Sequence, residues 1–224
     1  MESSLHRQLK ALYAPSREAQ EVVCDGRRID AVRDDELIEI QHGSLAAIRD
    51  KIRQLLARHP VRVVKPIVAV KHLVKLDERH GQVVGRRRSP KRGNVLDVFD
   101  ELVYFTSVYP HQRLTLEVVL VDVEEWRYPG RGRRRRRRQG QYVVQDQLLL
   151  EVRAARQFRT AADLARLLPP RLPRKFHTGH LAERLGIPRR SAQRIVYCLR
   201  ETGALAMVGK LGNAVLYQRR RQAA

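Results

Sequence analysis

Residues Arg28 to Gln41, Arg-Ile-Asp-Ala-Val-Arg-Asp-Asp-Glu-Leu-Ile-Glu-Ile-Gln, are the stretch around which the chain is arranged. Two apolar runs, Ile29 to Val32 and Leu37 to Ile40, flank the polar cluster Arg33, Asp34, Asp35 and Glu36. That is the pattern of two strands joined by a tight turn, a β-hairpin. The two-residue period of a strand puts Ile38 and Ile40 on one face and Leu37, Glu39 and Gln41 on the other. If helices cover both faces, Glu39 is a carboxylate where an apolar side chain is expected. Burying it unpaired is costly, so it calls for a metal, a cation or strong donors beside it. Asp30, near the start of the preceding strand, can sit next to it. Two carboxylates from adjacent strands, with a further polar group at Gln41, would form an oxygen-rich pocket suited to Mg²⁺. The same residues are compatible with a solvated strand end at Asp30 and an ion pair from Glu39 to Arg28 or Lys65.

Working outward, Leu5, Leu9 and Leu12 at helical spacing predict a helix over Ser4 to Tyr13, ending before Pro15. Gln20 to Cys24 reads as a strand closed by the turn Asp25-Gly26. After the hairpin, Ser44 is a plausible N-cap for a helix to Arg58, with Leu45, Ile48, Ile52, Leu55 and Leu56 in one apolar stripe. Pro60 ends it, and Val61 to Val70 reads as a strand buried on both faces, with His72 to Leu76 continuing the extended pattern. Pro66 interrupts that run and predicts a bulge or an edge position there.

This order of elements, with Asp30, Glu39 and Gln41 at their hairpin positions, resembles the restriction-endonuclease-like, or PD-(D/E)xK, nuclease superfamily. The resemblance covers the first third of the chain, and more loosely two thirds. It implies an α/β fold, a mixed sheet flanked by helices, and Mg²⁺ (or Mn²⁺) held by Asp30 and Glu39. The third motif position in that superfamily is usually a lysine that orients the attacking water; here it is Gln41, as in some members. Lys51 on the following helix and Lys65 on the next strand are the candidates to supply the missing positive charge. Glu2, just before the first helix, occupies a place where several such nucleases carry an additional acid.

Charge is the loudest compositional signal: Lys plus Arg number 45 against 24 Asp plus Glu, a net +21 over 224 residues. Such a surplus repels itself unless a polyanion is close, and nucleic acid is the commonest one. An anionic membrane surface fits less well, because no basic helix with a bulky apolar face stands out. Met1 to Gln8 lacks an apolar core, so no signal peptide is expected, and no apolar run approaches a membrane span. Cys24 and Cys198 lack Cys-x-x-Cys spacing and read as buried reduced thiols of a cytoplasmic protein.

Arg86, Arg87, Arg88, Lys91 and Arg92, with Ser89, Pro90 and Gly93 among them, read as an exposed basic loop for phosphate contact. Val95 to Phe105 reads as a helix, and Leu114 to Trp126 and Tyr142 to Val152 as two long strands. Between those strands runs Arg133, Arg134, Arg135, Arg136 and onward to Arg138. Six adjacent like charges predict a loop that would clamp a phosphate backbone, or a nuclear signal.

From Ala161 the composition changes to short helices and tight turns. Ala161 to Leu168, Gly179 to Leu185 capped by Thr178, and Ser191 to Thr202 are predicted helices, followed by a hairpin, Leu205 to Val208 and Ala214 to Tyr217. Pro169, Pro170 and Pro173 form a linker. Helix, glycine turn, helix and hairpin, with Ala182-Glu183-Arg184-Leu185-Gly186-Ile187-Pro188 at the turn, resembles the winged-helix form of helix-turn-helix. The resemblance implies a recognition helix presenting Arg189, Arg190, Gln193 and Arg194 to a major groove, with Lys210 in the wing. A winged helix used for protein contacts is the alternative. His177 and His180 lack further ligands in the sequence nearby, so zinc is not expected there.

The sequence therefore predicts residues 1–158 as a restriction-endonuclease-like domain (core about 1–78, basic loops and added strands 79–158) and 161–218 as a winged helix. The predicted function is Mg²⁺-dependent hydrolysis of double-stranded DNA. The alternatives are a non-catalytic DNA-binding or regulatory protein on a degenerate nuclease fold, and, less well supported, an RNA-processing protein. Homo-oligomerisation is left open.

Overall fold

The protein is described by a computed structural model covering residues 2–130 and 142–220. Its elements run α1 (Ser4–Tyr13), β1 (Gln20–Cys24), β2 (Arg27–Arg33), β3 (Glu36–Ile40), α2 (Arg49–Leu55), β4 (Val61–Leu76) and β5 (Val83–Arg88). They continue as α3 (Val98–Leu102), β6 (Leu114–Pro129), β7 (Tyr142–Phe158), α4 (Ala161–Ala165), α5 (Thr178–Leu185), α6 (Arg189–Glu201), β8 (Leu205–Leu211) and β9 (Ala214–Arg219). The two predicted long helices are shorter than their apolar stripes, because each begins as a 3-10 turn, Leu45–Ile48 before α2 and Val95–Asp97 before α3.

The main sheet is seven-stranded and mixed, in the order β1-β2-β3-β4-β6-β7, with β5 also paired to β4. The β3–β4 and β4–β6 pairings are parallel, and the others are antiparallel. Helices cover both faces. Leu5 and Leu9 of α1 pack on Ala31, Ile38, Ile40 and Val64. On the other face Leu45, Ile52, Leu55, Phe99 and Leu102 pack against Ile29, Leu37, Val63 and Leu116. The hairpin turn between β2 and β3 places Asp34 and Asp35 in the left-handed region (φ +49° and +62°), a conformation aspartate tolerates through local hydrogen bonding.

Pro66 meets the edge half of its expectation and not the bulge. It lies within the β4–β6 ladder, opposite Val119, the irregularity falls later, between Val68 and Val70, and on its other side the pairing with β3 has ended at Val64. Its missing N–H matters on the other side of β4. Gln41 N–H donates to the Val64 carbonyl, and in a parallel ladder the next bond would run from residue 66 N–H to the Gln41 carbonyl. Proline cannot make that bond, so β3 leaves the sheet at this point. The vacated edge of β4 is then met by the segment after β5: Ser89 N–H bonds the Lys71 carbonyl and Gly93 N–H bonds the Val68 carbonyl. A Cβ at residue 93 would come within 2.4 Å of that Val68 oxygen, so glycine is required by the close approach.

The basic stretch from Arg86 is likewise not all loop, since Arg86, Arg87 and Arg88 lie in β5, paired with Val74, Leu73 and His72. The C-terminal helices share the larger core: Leu164, Leu181, Ile195 and Leu199 belong to the same buried cluster as Phe99. Cys198 Sγ lies 3.6 Å from the Phe99 carbonyl, and burial pushes its thiol up to about 12. No helix among the described residues is long and apolar enough to cross a membrane.

Candidate functional site

The hairpin ladder breaks where the candidate site begins. Paired residues run from Arg33↔Glu36 to Ala31↔Ile38, and beyond them the Asp30 side chain replaces the backbone: its Oδ2 accepts the Ile40 N–H at 2.7 Å. The other oxygen, Oδ1, lies 3.1 Å from His6 Nε2 on α1, and the same ring nitrogen lies 3.4 Å from Glu2 Oε1. Lys10, one turn along α1 and buried, binds both Glu2 and Glu21. Burial pushes the Asp30 carboxyl up, but His6 and the Ile40 N–H outweigh it and hold the group below its ordinary value of 3.8.

Glu39 lies on the opposite balance. Both its oxygens accept from Lys51 Nζ, at 2.7 and 2.6 Å, and that ammonium also donates to the Arg28 carbonyl at 2.5 Å. Burial nonetheless raises the Glu39 carboxyl above 4.5, and the nearby Asp30 charge adds to the rise. His42, just past β3, is pushed down to about 4 by burial, with the His6 and Lys65 charges adding to it. It is therefore neutral near pH 7, and its buried Nε2 has no hydrogen-bond partner among the described residues.

The structure thus gathers Glu2, Asp30, Glu39 and Lys51 of the predicted site residues. The other two are bound elsewhere. The Gln41 carboxamide donates to the Ser44 carbonyl at 3.0 Å. Lys65 is buried, with Nζ donating to the His42 and Gly43 carbonyls at 2.9 and 2.5 Å and lying 3.8 Å from Glu101, and burial lowers its pKa. It clamps the loop that follows β3 and is not paired with Glu39, whose partner is neither Arg28's side chain nor Lys65. The sequence reading missed His6, Lys10 and His42. The four-residue steps from Glu2, just before α1, to His6 and Lys10 put the two α1 residues on one face, which is the signal that could have found them; no such spacing marks His42.

Of the predicted nucleic-acid contacts, Arg87, Arg88, Lys91 and Arg92 are exposed beside the broken edge of β4. Residues 131–141, which include Arg133, Arg134, Arg135 and Arg136, lie outside the described residues. Arg189, Arg190 and Gln193 are exposed on the first turns of α6, and Lys210 is exposed in β8. Arg194 is a correction: it turns back to Asp100 on α3, 2.5 Å away, and is not part of the free face of α6. That free face instead carries Tyr197 and Arg200, which with Arg189, Gln193, Asn213 and Tyr217 line a pocket of about 320 Å³ between α6 and the β8–β9 hairpin. The helix spacing from Arg189 through Gln193 and Tyr197 to Arg200 could have revealed both.

Two further corrections concern histidine and cysteine. His177, not Thr178, caps α5: its Nδ1 accepts from Gly179 and His180 N–H, with the two imidazoles stacked 3.7 Å apart. Cys24 is half-exposed instead of buried.

The chain belongs to the family described as Domain of unknown function (DUF8091), whose pattern it matches over residues 3–159. A relative from Treponema pallidum (strain Nichols), which carries the name "Uncharacterized protein", is 31% identical over 220 residues, covering 97% of this chain and 85% of its own. No solved structure matches.

Proposed function

We propose that this chain is a metal-dependent nuclease that hydrolyses phosphodiester bonds of double-stranded DNA, built from a restriction-endonuclease-like domain and a C-terminal winged helix. The observation that carries the reading is the pair Asp30 and Glu39: two largely buried carboxylates, electrostatically coupled, at a ladder break, with His6 on the one and Lys51 on the other. A purely structural ion pair would not need the second carboxylate. The match of the family to residues 3–159 ends beside Thr160, which caps α4, and supports a boundary there.

The donor set fits Mg²⁺ or Mn²⁺, since Asp30 and Glu39 offer hard carboxylate oxygens from adjacent strands. Asp30 and Glu39 would hold the ion, which supplies an activated water and a counter-charge to the phosphate. Asp30 is kept ionised by His6 and the Ile40 N–H, so it is ready to bind at neutral pH. Lys51 neutralises Glu39 in the free protein, and once displaced from it can turn its ammonium to the charge that develops on the phosphate oxygens. Gln41, fixed through its amide nitrogen to Ser44, is left with its carboxamide oxygen to orient water. Arg87, Arg88, Lys91 and Arg92 grip the backbone, and the exposed face of α6 with Lys210 orients the duplex.

The tie between Gln41 and Ser44 favours a second reading, a DNA-binding or regulatory protein on a degenerate nuclease fold, because it holds the third motif residue in a structural bond. Cleavage of supercoiled plasmid with Mg²⁺ or Mn²⁺ separates the two, with wild type compared to Glu39→Ala at a salt concentration where both still bind. Cutting by the wild type alone supports the nuclease. Binding without cutting by either protein, with every metal, leaves the second reading.

A further inference from the structure

The β1–β2 hairpin turns on Asp25 and Gly26, both left-handed at φ +49° and +71°. This turn sets Cys24 and Asp25 against His59, which ends the helical turn after α2 through a bond from its N–H to the Leu55 carbonyl. Cys24 Sγ lies 3.5 Å from His59 Nε2, and the same nitrogen lies 3.2 Å from Asp25 Oδ2. All three donor atoms fall within 4.8 Å of one another. A Cys-His-Asp relay would use the two ring nitrogens separately, one toward sulfur and one toward carboxylate. Here one nitrogen faces both, so the donors converge on a single point.

We propose that Cys24, Asp25 and His59 form a transition-metal site for Zn²⁺, with the remaining coordination position open to water. The spacing carries the assignment. With Zn–S of ~2.3 Å, Zn–N of ~2.05 Å and Zn–O of ~2.0 Å at tetrahedral angles, the S···N edge is about 3.6 Å and the N···O edge about 3.3 Å. The observed edges are 3.5 and 3.2 Å before any ion is placed. A thiolate with imidazole and one carboxylate selects Zn²⁺ over Mg²⁺, which prefers oxygen alone. Asp25 is exposed and Cys24 half-exposed, so the open position faces solvent, and Arg58 approaches only the other Asp25 oxygen, at 3.7 Å. The site spans the seam that Arg27 and Gln54 also bridge, and so pins the end of α2 to the hairpin. The same helix brings Lys51 to the Arg28 carbonyl two turns earlier. The assignment does not depend on the nuclease reading.

The test is Co²⁺ titration of the full chain, followed by absorption, with Zn²⁺ as competitor. The expected result is one equivalent of Co²⁺ giving a thiolate-to-cobalt charge-transfer band and intense tetrahedral visible bands, displaced by stoichiometric Zn²⁺. Cys24→Ser should abolish the charge-transfer band, and His59→Gln should weaken Zn²⁺ binding by at least about tenfold. Asp30→Asn with Glu39→Gln should leave the spectrum unchanged, and Cys198 is buried and cannot substitute for Cys24. The absence of the band in the wild type, its persistence in Cys24→Ser, or its loss in the Asp30 and Glu39 variant would each overturn the proposal. Circular dichroism of each variant separates a lost ligand from a lost fold.

Discussion

Lys51 Nζ reaches both carboxylate oxygens of Glu39, at 2.7 and 2.6 Å, across the gap between α2 and β3. Neither side chain has much access to water, at 19% and 11% exposure, so each leaves the other as an uncompensated charge if removed. Lys51→Ala should therefore destabilise the fold by about 2–3 kcal/mol, somewhat below the range for a fully buried pair. Adding Glu39→Gln should restore most of the loss, because the stranded charge is gone. Urea unfolding of the two single variants and the double variant measures the coupling. Additive losses would show that the pair contributes nothing as a pair.

Asp30 and Glu39 should respond to acid in opposite directions. The folded Asp30 carboxyl titrates below 3.8, so its contribution to stability is complete above that value and is lost as the pH falls through the lower, folded pKa. The folded Glu39 carboxyl titrates above 4.5, so its contribution is complete below that value and is lost as the pH rises through the higher, folded pKa. Compared with the wild type, Asp30→Asn should flatten the loss of stability below pH 3.8, and Glu39→Gln should remove a decline on the neutral side of pH 4.5. Unfolding midpoints across pH 3 to 7 check the two slopes, roughly the span over which carboxylates titrate.

The elements themselves were largely legible in the sequence. The apolar spacing from Leu5 to Leu9 and the turn signal at Asp25-Gly26 place α1 and β1 where they are found, because local periodicity decides them. The alternation around Glu39 also identified a carboxylate on a face that α2 covers. What the sequence did not show is which distant partner each charge would find. Lys51 and Lys65 were equivalent candidates in sequence, and only the register of β4 sends Lys65 to the loop carbonyls while α2 carries Lys51 to Glu39. Arg194 looks like a free basic side chain in sequence for the same reason: its partner Asp100 is 94 residues away and belongs to α3. Cys24 and His59 share no motif, and they meet only because the first hairpin folds over the end of α2.

His42 should make the fold acid-sensitive well above the carboxylate range. Its folded value of about 4 lies below the ordinary 6.5, so between these values the unfolded chain takes up a proton that the folded chain refuses. Stability must then fall as the pH drops from 6.5 toward 4. The whole interval corresponds to roughly 3 kcal/mol at ~1.4 kcal/mol per unit of pKa. His42→Asn should remove that slope while keeping a small polar side chain near His6. Thermal unfolding of both proteins at pH 6.5 and about pH 5 measures it by difference, since any Glu39 slope in that window is common to both, and parallel slopes would show that His42 is not the cause.

Two of the arginines of α6, Arg190 and Arg194, separate grip from packing. Arg190 is exposed on the first turn, whereas Arg194 is paired with Asp100 and ties α6 to α3. On the proposed docking, Arg190→Ala removes one phosphate or base-edge contact. It should weaken duplex binding by about 1–3 kcal/mol if a base is read, or reduce the salt slope by about one if a phosphate is held. Arg194→Ala should leave affinity and salt slope close to wild type, and should instead lower stability by up to about 1 kcal/mol, as expected for a half-exposed ion pair. Fluorescence anisotropy with a labelled duplex over a salt series, run beside thermal unfolding, reads both effects. The docking is wrong if Arg194→Ala loses affinity and salt dependence while Arg190→Ala loses neither, because the face of α6 that meets DNA would then be the one now packed against α3.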